Sequence, residues 1–194
     1  MQINTSKKMN EENISASKTE KSFLRKFIKL FSRNPSSSDE VADMLRSAEN
    51  ESIIDADALQ IMEGALKVSD LQAREIMIPK SQMKLIESDF SLEEVLDVVT
   101  QSQHSRFPVV GESSDDVLGI LLAKELIPLI LDGKESFDLK NMLRPANIIP
   151  ESKRISILLK EFREQRYHMA IVVDEYAGVS GLLTIEDVLE EIVG

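Results

Sequence analysis

The 194-residue sequence contains no cysteine and no tryptophan, and only 5% of its residues are aromatic. Without cysteine there is no disulfide, no thiol nucleophile and no thiolate metal site, which fits a reducing cytoplasm. No apolar run approaches the roughly 20 residues that a membrane-spanning helix needs, and the N-terminus lacks the apolar core of a secretory signal. We therefore expect a soluble protein, or a soluble part of one, in the cytoplasm.

Motifs that carry catalysis or metal binding are also missing. The two histidines, His104 and His168, each precede a predicted strand, and neither has a second histidine four residues away that could complete a zinc site. The glycine-rich patterns of dinucleotide-binding and P-loop sites do not occur. Acidic pairs such as Glu190 and Glu191 are typical of solvated helix faces, with weak Mg²⁺ binding as the alternative. The sequence therefore predicts that the protein is not an enzyme.

Charge is distributed unevenly along the chain. Residues 1–40 carry eight Lys or Arg and five Asp or Glu, a net charge of +3, so the total of −11 leaves −14 on residues 41–194. A body this acidic repels the phosphates of nucleic acids, which excludes nucleic acid as a partner of its general surface. A nucleotide site on it would need local cations or an accompanying Mg²⁺.

Residues 1–38 are predicted to be a disordered tail that contains one short basic amphipathic helix. Residues 22–33 place Phe23, Phe27 and either Leu30 or Phe31 on one helical face, with lysine and arginine around the remainder. Such a helix can contact an anionic membrane surface or a membrane protein, which would give a peripheral position at the inner face of the plasma membrane. The alternatives are docking on the body or a partner, or a helix that forms only transiently.

Residues 39–70 are predicted to be a helical lead-in to the main body. The first helix, Asp39–Glu49, has apolar residues at helical spacing, and the second begins after Asp55. In the second we expect Leu59, Met62 and Leu66 to face inward, although Gly64 lies within it and weakens a helix.

The most informative stretch is the last one, Gly178–Gly194. An apolar run ends at Thr184, and Thr184 and Asp187 have the spacing of a capping box at the start of a helix. The same spacing can serve a ligand, because a helix N-terminus suits a phosphate and an Asp in the first turn can accept from both hydroxyls of a ribose. On this segment alone both interpretations stay open.

The pattern occurs twice in the sequence. Val117–Leu126 aligns with Val179–Val188 at a shift of 62, which matches Gly119 to Gly181. Upstream, Phe107–Val110 matches Ala170–Val173 at a shift of 63, and Ile76–Pro79 matches Met142–Pro145 at a shift of 66. A supersecondary unit of this period that is copied once predicts two repeats that bury a shared face.

Each repeat is predicted to have the order β-α-β-β-α, so the fold class is α+β (mixed α/β), with two pseudo-symmetric repeats packed sheet to sheet and preceded by short helices. Each small sheet should have three strands. We assign residues 71–135 to the first repeat and 136–194 to the second. The elements predicted for the first are Met83–Glu87, Ser91–Thr100, Arg106–Val110, Val117–Leu121 and Ala123–Leu131, the last kinked or shortened by Pro128. Those predicted for the second are Ala146–Ile149, Lys153–Gln165, Met169–Val173, Val179–Leu183 and a helix after Thr184.

Four motifs make the resemblance to a family specific. They are SQM at Ser81–Met83, HSRFPV at His104–Val109, PESKR at Pro150–Arg154 and RYHMAIVVDEYAGVSGLLTIEDVLEEIVG at Arg166–Gly194. The two copies resemble a tandem pair of CBS domains, a Bateman module, and these motifs resemble the CorC/HlyC family of magnesium and cobalt efflux proteins. The resemblance covers Val41–Gly194. It implies a regulatory module that binds an adenosine nucleotide, AMP or ATP, with Mg²⁺ as a candidate companion, and transmits binding by a conformational or dimer change.

The resemblance also implies roles for particular residues. Asp187 would hold the ribose hydroxyls and Thr184 the phosphate. The residues that would border the adenine are Tyr167, His168, Met169 and Ala170 on one side and Ile148, Ile149 and Pro150 on the other. In the first copy Leu122 stands in place of Thr184 and Glu125 in place of Asp187, where Arg106 and Lys124 could supply charge. We therefore expect one good site in the second repeat and a degraded one in the first.

The resemblance further implies a homodimer, formed through helices such as Ala123–Leu131 and Ile185–Ile192. The alternative is a dimerisation or partner-docking module that binds no nucleotide, in which Thr184 and Asp187 only cap a helix. In the family an acidic linker and a small C-terminal domain follow the position of Gly194, so we expect a regulatory part that forms no transport path alone. Ala177 stands where the family often has glycine, and it is strained if that turn position needs a positive φ.

Overall fold

The computed structural model describes residues 35–132 and 137–194. The predicted tail up to residue 34, including the basic helix of residues 22–33, lies outside the described residues. The described part of the chain divides into two units, the first ending at residue 50 and the second beginning at residue 51. In the first unit, helix α1 spans Ser38–Asn50, one residue longer at each end than predicted. Its first turn is fixed by Ser37, whose Oγ accepts from the Glu40 N–H at 3.2 Å.

Helix α2, Ala56–Asp70, opens the second unit where the sequence predicted it. The Asp55 carboxylate accepts from the Ala58 N–H at 2.7 Å and so caps the helix. Leu59 and Leu66 are partly buried as expected. Met62 is 39% exposed, which corrects its assignment to the inner face, whereas Val68 is only 3% exposed. Helix α2 packs through the face that carries Gly64 and Val68, and Met62 lies outside this contact.

The two repeats contain the predicted order of elements. The first comprises α3 (Ala73–Ile76), β1 (Ile78–Pro79), β2 (Ile86–Glu87), α4 (Leu92–Ser102), β3 (Arg106–Val110), β4 (Val117–Leu122) and α5 (Ile127–Asp132). The second comprises β5 (Asn147–Pro150), α6 (Ile155–Gln165), β6 (Met169–Val173), β7 (Val179–Thr184) and α7 (Ile185–Val193). Short 3₁₀ turns cover Lys80–Gln82, Ala123–Leu126 and Lys140–Met142. The mixed α/β class is confirmed.

Two elements of the first repeat differ from the prediction. The strand expected over Met83–Glu87 forms only at Ile86–Glu87, because Met83 ends a 3₁₀ turn and its N–H donates to the Lys80 carbonyl. The helix expected over Ala123–Leu131 is a 3₁₀ turn followed by α5. Pro128 explains the division, because proline lacks an N–H and is tolerated in the first turn of a helix but not in its interior.

The two sheets are unequal. The first repeat forms a three-stranded sheet in the order β2-β3-β4, whereas the second forms a four-stranded sheet in the order β1-β7-β6-β5. The fourth strand is β1, which precedes the first repeat's own strands yet pairs with β7, Ile78 opposite Leu182. A reciprocal bridge joins Arg144 to Ile120 of β4. Each repeat therefore lends its entry segment to the other, so the expectation of two three-stranded sheets was wrong.

The repeated glycine of the sequence is explained by this exchange. A Cβ atom on Gly181 would collide with the Ile78 carbonyl, and a Cβ atom on Gly119 would collide with the Arg144 carbonyl. Both strands thus need glycine where the exchanged backbone approaches closely.

Three groups of buried side chains stabilise the second unit. One lies between the four-stranded sheet and α2, α6 and α7 and includes Val188. Another fills the first repeat around Phe107. The third joins the two sheets, with Ile120 of β4 packed among Ile171 and Leu182. Burying each of the larger apolar side chains in these groups stabilises the fold by roughly 1.5–3 kcal/mol. The third group confirms the packing of sheet to sheet.

Within residues 35–132 and 137–194, every helix is too short or too polar to cross a membrane.

Candidate functional site

The junction of β7 and α7 carries the predicted capping box. The Thr184 N–H and hydroxyl both donate to Asp187 Oδ2, each at 2.7 Å, and the Asp187 N–H donates to Thr184 Oγ1 at 3.2 Å. The box forms because β7 ends in an extended residue and the helical spacing places Asp187 one turn later. Capping is therefore an established role of both residues.

The cap does not use all the hydrogen-bonding capacity of the pair. Both bonds that Asp187 accepts from Thr184 go to Oδ2, so Oδ1 takes no part in the cap. A carboxylate oxygen has two lone pairs, so Oδ1 can accept from ribose hydroxyls while Oδ2 still caps the helix. The Thr184 hydroxyl proton, in contrast, is committed to Asp187, and a phosphate would have to draw it away.

Thr184 and Asp187 line a cavity of about 320 Å³ to which both repeats contribute. The first repeat and its exchanged segment supply Ile78, Gln82, Met83, Lys84, Gln103, His104, Ser105 and Arg106. The second supplies Met169, Leu182, Thr184, Glu186 and Asp187. Met169 and Leu182 belong to the buried group between the sheets, which gives the cavity an apolar floor beneath a polar rim.

Charges of both signs surround this cavity. The Arg106 Nη1 atom lies 3.8 Å from Glu186 Oε1, and His168 Nδ1 lies 3.9 Å from the same oxygen. Lys84 adds a second permanent cation, and Asp187 a second carboxylate. These cations meet the requirement of an acidic protein that is to hold an anionic ligand. An apolar floor with hydroxyl, carboxylate and cationic groups above it suits a flat base attached to a sugar and a phosphate.

A metal site of protein ligands alone is not formed in the part of the chain that the structure describes, where no three His, Asp or Glu side chains converge. A Mg²⁺ ion at this cavity would therefore need oxygens from a ligand, as it commonly takes from phosphates.

The structure brings together four of the predicted site residues: Thr184, Asp187, Met169 and Arg106 all line the cavity. His168 lies beside it through Glu186. Ala170 and Ile149 are 0% and 2% exposed and belong to the core on the helical side of the sheet. Neighbouring residues of a strand point their side chains to opposite faces, so the Met169 side chain lines the cavity and the Ala170 side chain does not.

Tyr167 is engaged away from the cavity. Its ring contacts Phe162 edge to face at 4.9 Å between centroids, and its hydroxyl donates to Glu161 Oε2 at 3.1 Å. Burial, together with the bond to Glu161 and its charge, raises the pKa of Tyr167 to about 12. Lys153 Nζ lies 2.6 Å from the other Glu161 oxygen. Pro150 is an exposed residue of β5, the strand farthest from β1 in the sheet.

The corresponding position of the first repeat is filled by an ion pair. Glu125 Oε1 accepts from Arg144 Nη2 at 2.6 Å and from Nε at 3.2 Å, so its charge is matched by a guanidinium of the chain itself. Of the three residues that the sequence grouped at this position, Arg106 lines the cavity with Thr184, whereas Lys124 and Glu125 do not. The cause is the packing of the repeats, which sets the start of β3 opposite the β7–α7 junction.

Apart from Arg106, sequence reasoning missed the first repeat's contribution to this cavity. Gln82 and Met83 belong to the SQM motif, and His104 and Ser105 precede Arg106 in HSRFPV, yet none of these four residues was given a ligand role. Lys84 and Glu186 were missed as well. The match of Ile76–Pro79 with Met142–Pro145 was the available signal, because a segment repeated ahead of each unit needs a pairing partner.

Two reciprocally exchanged β-α-β-β-α repeats with a polar cavity between them define a tandem pair of CBS domains. The family model of the CBS domain matches residues 73–132 and 137–194. A second family model, the N-terminal region of NMB0537, matches residues 33–68. The chain belongs to the CBS domain family, and the CorC/HlyC resemblance of its motifs is confirmed by its relatives.

It is 47% identical over 188 residues to the magnesium and cobalt efflux protein CorC of Vibrio cholerae, which covers 96% of this chain and 65% of that protein. The chain thus spans less than two thirds of that relative's length.

Solved structures agree with this assignment. A conserved domain of unknown function from Neisseria meningitidis is 48% identical, with a TM-score of 0.75 over 79% of this chain and 99% of the other. The CBS domain of a bacterial CNNM/CorC family Mg²⁺ transporter in complex with ATP is 40% identical, with a TM-score of 0.62 over 70% and 96%. A CBS-domain pair from Klebsiella pneumoniae with bound AMP is 29% identical, with a TM-score of 0.58 over 64% and 100%.

Proposed function

We propose that this chain is the regulatory, adenosine-nucleotide-binding CBS pair of a CorC-type protein associated with magnesium and cobalt efflux. The observation that carries the proposal is the cavity between the repeats, where Thr184 and Asp187 stand opposite Arg106 over an apolar floor. The ATP and AMP complexes of similar CBS domains support the class of ligand.

Each part of the ligand has a matching group in the cavity. Asp187 Oδ1 accepts from the ribose hydroxyls, and the side chains of Ile78, Met83 and Met169 give the adenine apolar contact. Arg106 and Lys84 balance the phosphates, and the Thr184 hydroxyl becomes a further donor where a phosphate draws its proton from Asp187. Because Glu186 and Asp187 add negative charge beside these phosphates, Mg²⁺ accompanies the longer nucleotides and reduces the repulsion.

Binding is transmitted because the ligand contacts both repeats. A ligand shifts a conformational equilibrium only by its different affinities for the two states. Since Arg106 and Lys84 belong to the first repeat and Asp187 to the second, a bound nucleotide favours the arrangement in which both sets reach it. That change is then passed to the remainder of a CorC-type assembly at the inner face of the membrane.

The test is titration calorimetry and thermal unfolding of the full chain with AMP, ADP and ATP, each with and without Mg²⁺. A nucleotide at a hundred times its Kd adds about 2.7 kcal/mol to the free energy of unfolding. Asp187→Ala should raise the Kd roughly ten- to a hundred-fold, since hydrogen bonds to a charged group are worth about 1.5–3 kcal/mol.

Glu94→Ala is the matched control for that substitution. Glu94 accepts from the Ser91 N–H and hydroxyl at 2.8 Å each and caps α4 as Asp187 caps α7, but it does not line the cavity. The control should lower stability like Asp187→Ala and leave the Kd unchanged. If the folded Asp187→Ala variant binds as the unmodified chain does, the assignment of Asp187 is wrong.

A second candidate function is dimerisation, and α5 favours it. Ile127, Ile130 and Leu131 are 53%, 56% and 78% exposed, an apolar surface that water disfavours and that a second copy of the chain would cover. A homodimer is compatible with nucleotide binding. Alternatively, the chain is only a dimerisation or partner-docking module and binds no nucleotide. Nucleotide titration separates the two, because a pure docking module shows no shift at millimolar nucleotide.

A further inference from the structure

One carboxylate oxygen of the first repeat contacts two segments outside its own sheet. Asp115 lies in the turn between β3 and β4, and its Oδ1 accepts from Lys80 Nζ at 2.7 Å and from the Val179 N–H at 2.7 Å. Lys80 directly follows β1, and Val179 begins β7. The turn of the first repeat is thus bonded to two adjoining parts of the four-stranded sheet.

The corresponding turn of the second repeat cannot make this contact. Counted from the aligned strands, Asp115 corresponds to Ala177 (115 + 62) and Lys80 to Ala146 (80 + 66). The two turns close alike, with Gly111 N–H donating to the Asp116 carbonyl at 2.8 Å and Asp174 N–H to the Gly178 carbonyl at 2.9 Å. Alanine offers neither a carboxylate nor an amine, so the contact exists in only one of the two halves.

The two segments that Asp115 contacts also lead into the walls of the cavity. Lys80 begins the 3₁₀ turn Lys80–Gln82, and the residues that follow it, Gln82, Met83 and Lys84, line the cavity. The strand that begins at Val179 ends at Thr184. Asp115 therefore fixes, through one oxygen, the starting points of two segments that form walls of the same cavity.

The exposure of the contact limits what it can do for the fold as a whole. The side chains of Lys80 and Asp115 are 34% and 48% exposed, and ion pairs at such exposure contribute little to the stability of a protein. The contact can still have a large effect on ligand binding, because small displacements of binding groups weaken binding strongly.

We propose that Asp115 is a positioning residue for the cavity, which holds the Gln82–Lys84 wall in place against the strand that carries Thr184. This inference rests on the proposed function, because its measurable consequence is nucleotide affinity. It also supplies a reason why the two clefts of a pseudo-symmetric pair differ, in addition to the loss of the threonine in the first.

The test compares Asp115→Ala, Asp115→Asn and Lys80→Met with the neighbouring control Asp116→Ala, in the full chain, with ATP plus Mg²⁺ and with AMP as probes. Asp115→Ala should raise the Kd about ten-fold and leave the chain folded, with a lower unfolding midpoint because the part-buried Val179 N–H loses its acceptor. Asp115→Asn keeps an acceptor for the Val179 N–H and should have a smaller effect. The double variant Asp115→Ala with Lys80→Met should have the same Kd as Asp115→Ala alone, since both substitutions remove the same ion pair.

Hydrogen exchange without ligand gives a second measurement. The Val179 amide should exchange faster in Asp115→Ala and be unchanged in Asp116→Ala. If the unmodified chain binds nucleotide and the Asp115→Ala variant has the same Kd, this inference is overturned but the proposed function is not. An unmodified chain that binds none of the probes overturns the proposed function and this inference with it.

Discussion

Ala177 holds a backbone conformation that alanine rarely takes, with φ of +64°. It lies in the turn between β6 and β7, where Asp174 Oδ1 accepts from the N–H groups of Tyr176 and Gly178 at 2.8 Å each. The left-handed conformation costs a residue with a Cβ roughly 1–2 kcal/mol. The sequence left open whether this turn position needs a positive φ, and the structure shows that it does.

Ala177→Gly should therefore stabilise the protein by about 0.5–1 kcal/mol. This net gain is the relieved backbone strain less the extra conformational entropy that glycine loses on folding. Urea unfolding of the two proteins measures the difference. Ala146→Gly is a suitable control, because its backbone has no positive φ and the substitution should destabilise. A loss of stability in Ala177→Gly as well would show that the turn does not strain alanine.

Tyr167 gives a prediction for alkaline pH. Its folded pKa of about 12 lies above the value of about 10 for an unfolded chain, so the folded state retains the proton longer. The stability that this provides is complete below about pH 10 and is lost as the pH rises towards 12. In Tyr176→Phe, which leaves Tyr167 as the remaining tyrosine of two, phenolate absorbance should appear with a midpoint near 12. A midpoint at the ordinary value would mean that Glu161 does not hold the hydroxyl.

At the scale of elements, Gly64 decides how closely α2 and α7 can pack. A Cβ atom at this position would collide with the Ile192 carbonyl. Two contacts hold the same helices together beside it: Lys67 Nζ lies 2.7 Å from Glu191 Oε2, and Gln60 Nε2 donates to the Val193 carbonyl at 3.0 Å. The glycine that weakens a helix in isolation thus serves its packing.

Gly64→Ala should therefore destabilise the protein by about 1–3 kcal/mol through overpacking, although alanine is the better helix former by about 1 kcal/mol. Thermal unfolding is the measurement. The control is Ala65→Gly, at an exposed position of the same helix, which measures the effect of helix propensity on stability without a change in packing. If Gly64→Ala raises the unfolding midpoint, the close approach of the two helices is not present in solution.

At the scale of the whole molecule, the exposed face of α5 predicts a homodimer. Leu131→Asp together with Ile130→Asp should convert it to a monomer, because two charges would be buried in an apolar interface. Light scattering after size-exclusion chromatography measures the molar mass and so distinguishes a dimer from a monomer. Ile148→Asp, at a position 61% exposed on β5, is the control and should leave the dimer intact. A dimer that survives the double substitution places the interface elsewhere, and a monomeric unmodified chain refutes the homodimer.

Local patterns in the sequence determined much of this protein. Helix starts at Asp55, Ser91 and Thr184 were readable because each cap acts on amides within the next turn. The β-α-β-β-α order of both copies followed from apolar periodicity and from the two-fold repeat. The pairing of Thr184 with Asp187 needed no more than their spacing.

The tertiary structure alone decided which parts of the two copies face each other. β1 pairs with β7, about a hundred residues away in sequence, and Arg106 of the first repeat comes to line one cavity with Thr184 of the second. Arg144 similarly reaches Glu125 from outside the first repeat. Alignment of the copies shows which positions are equivalent but not which are in contact, because contacts between repeats are set by how two apolar sheets bury each other. The cavity lies at that boundary, so its second wall could be known only from the packed structure.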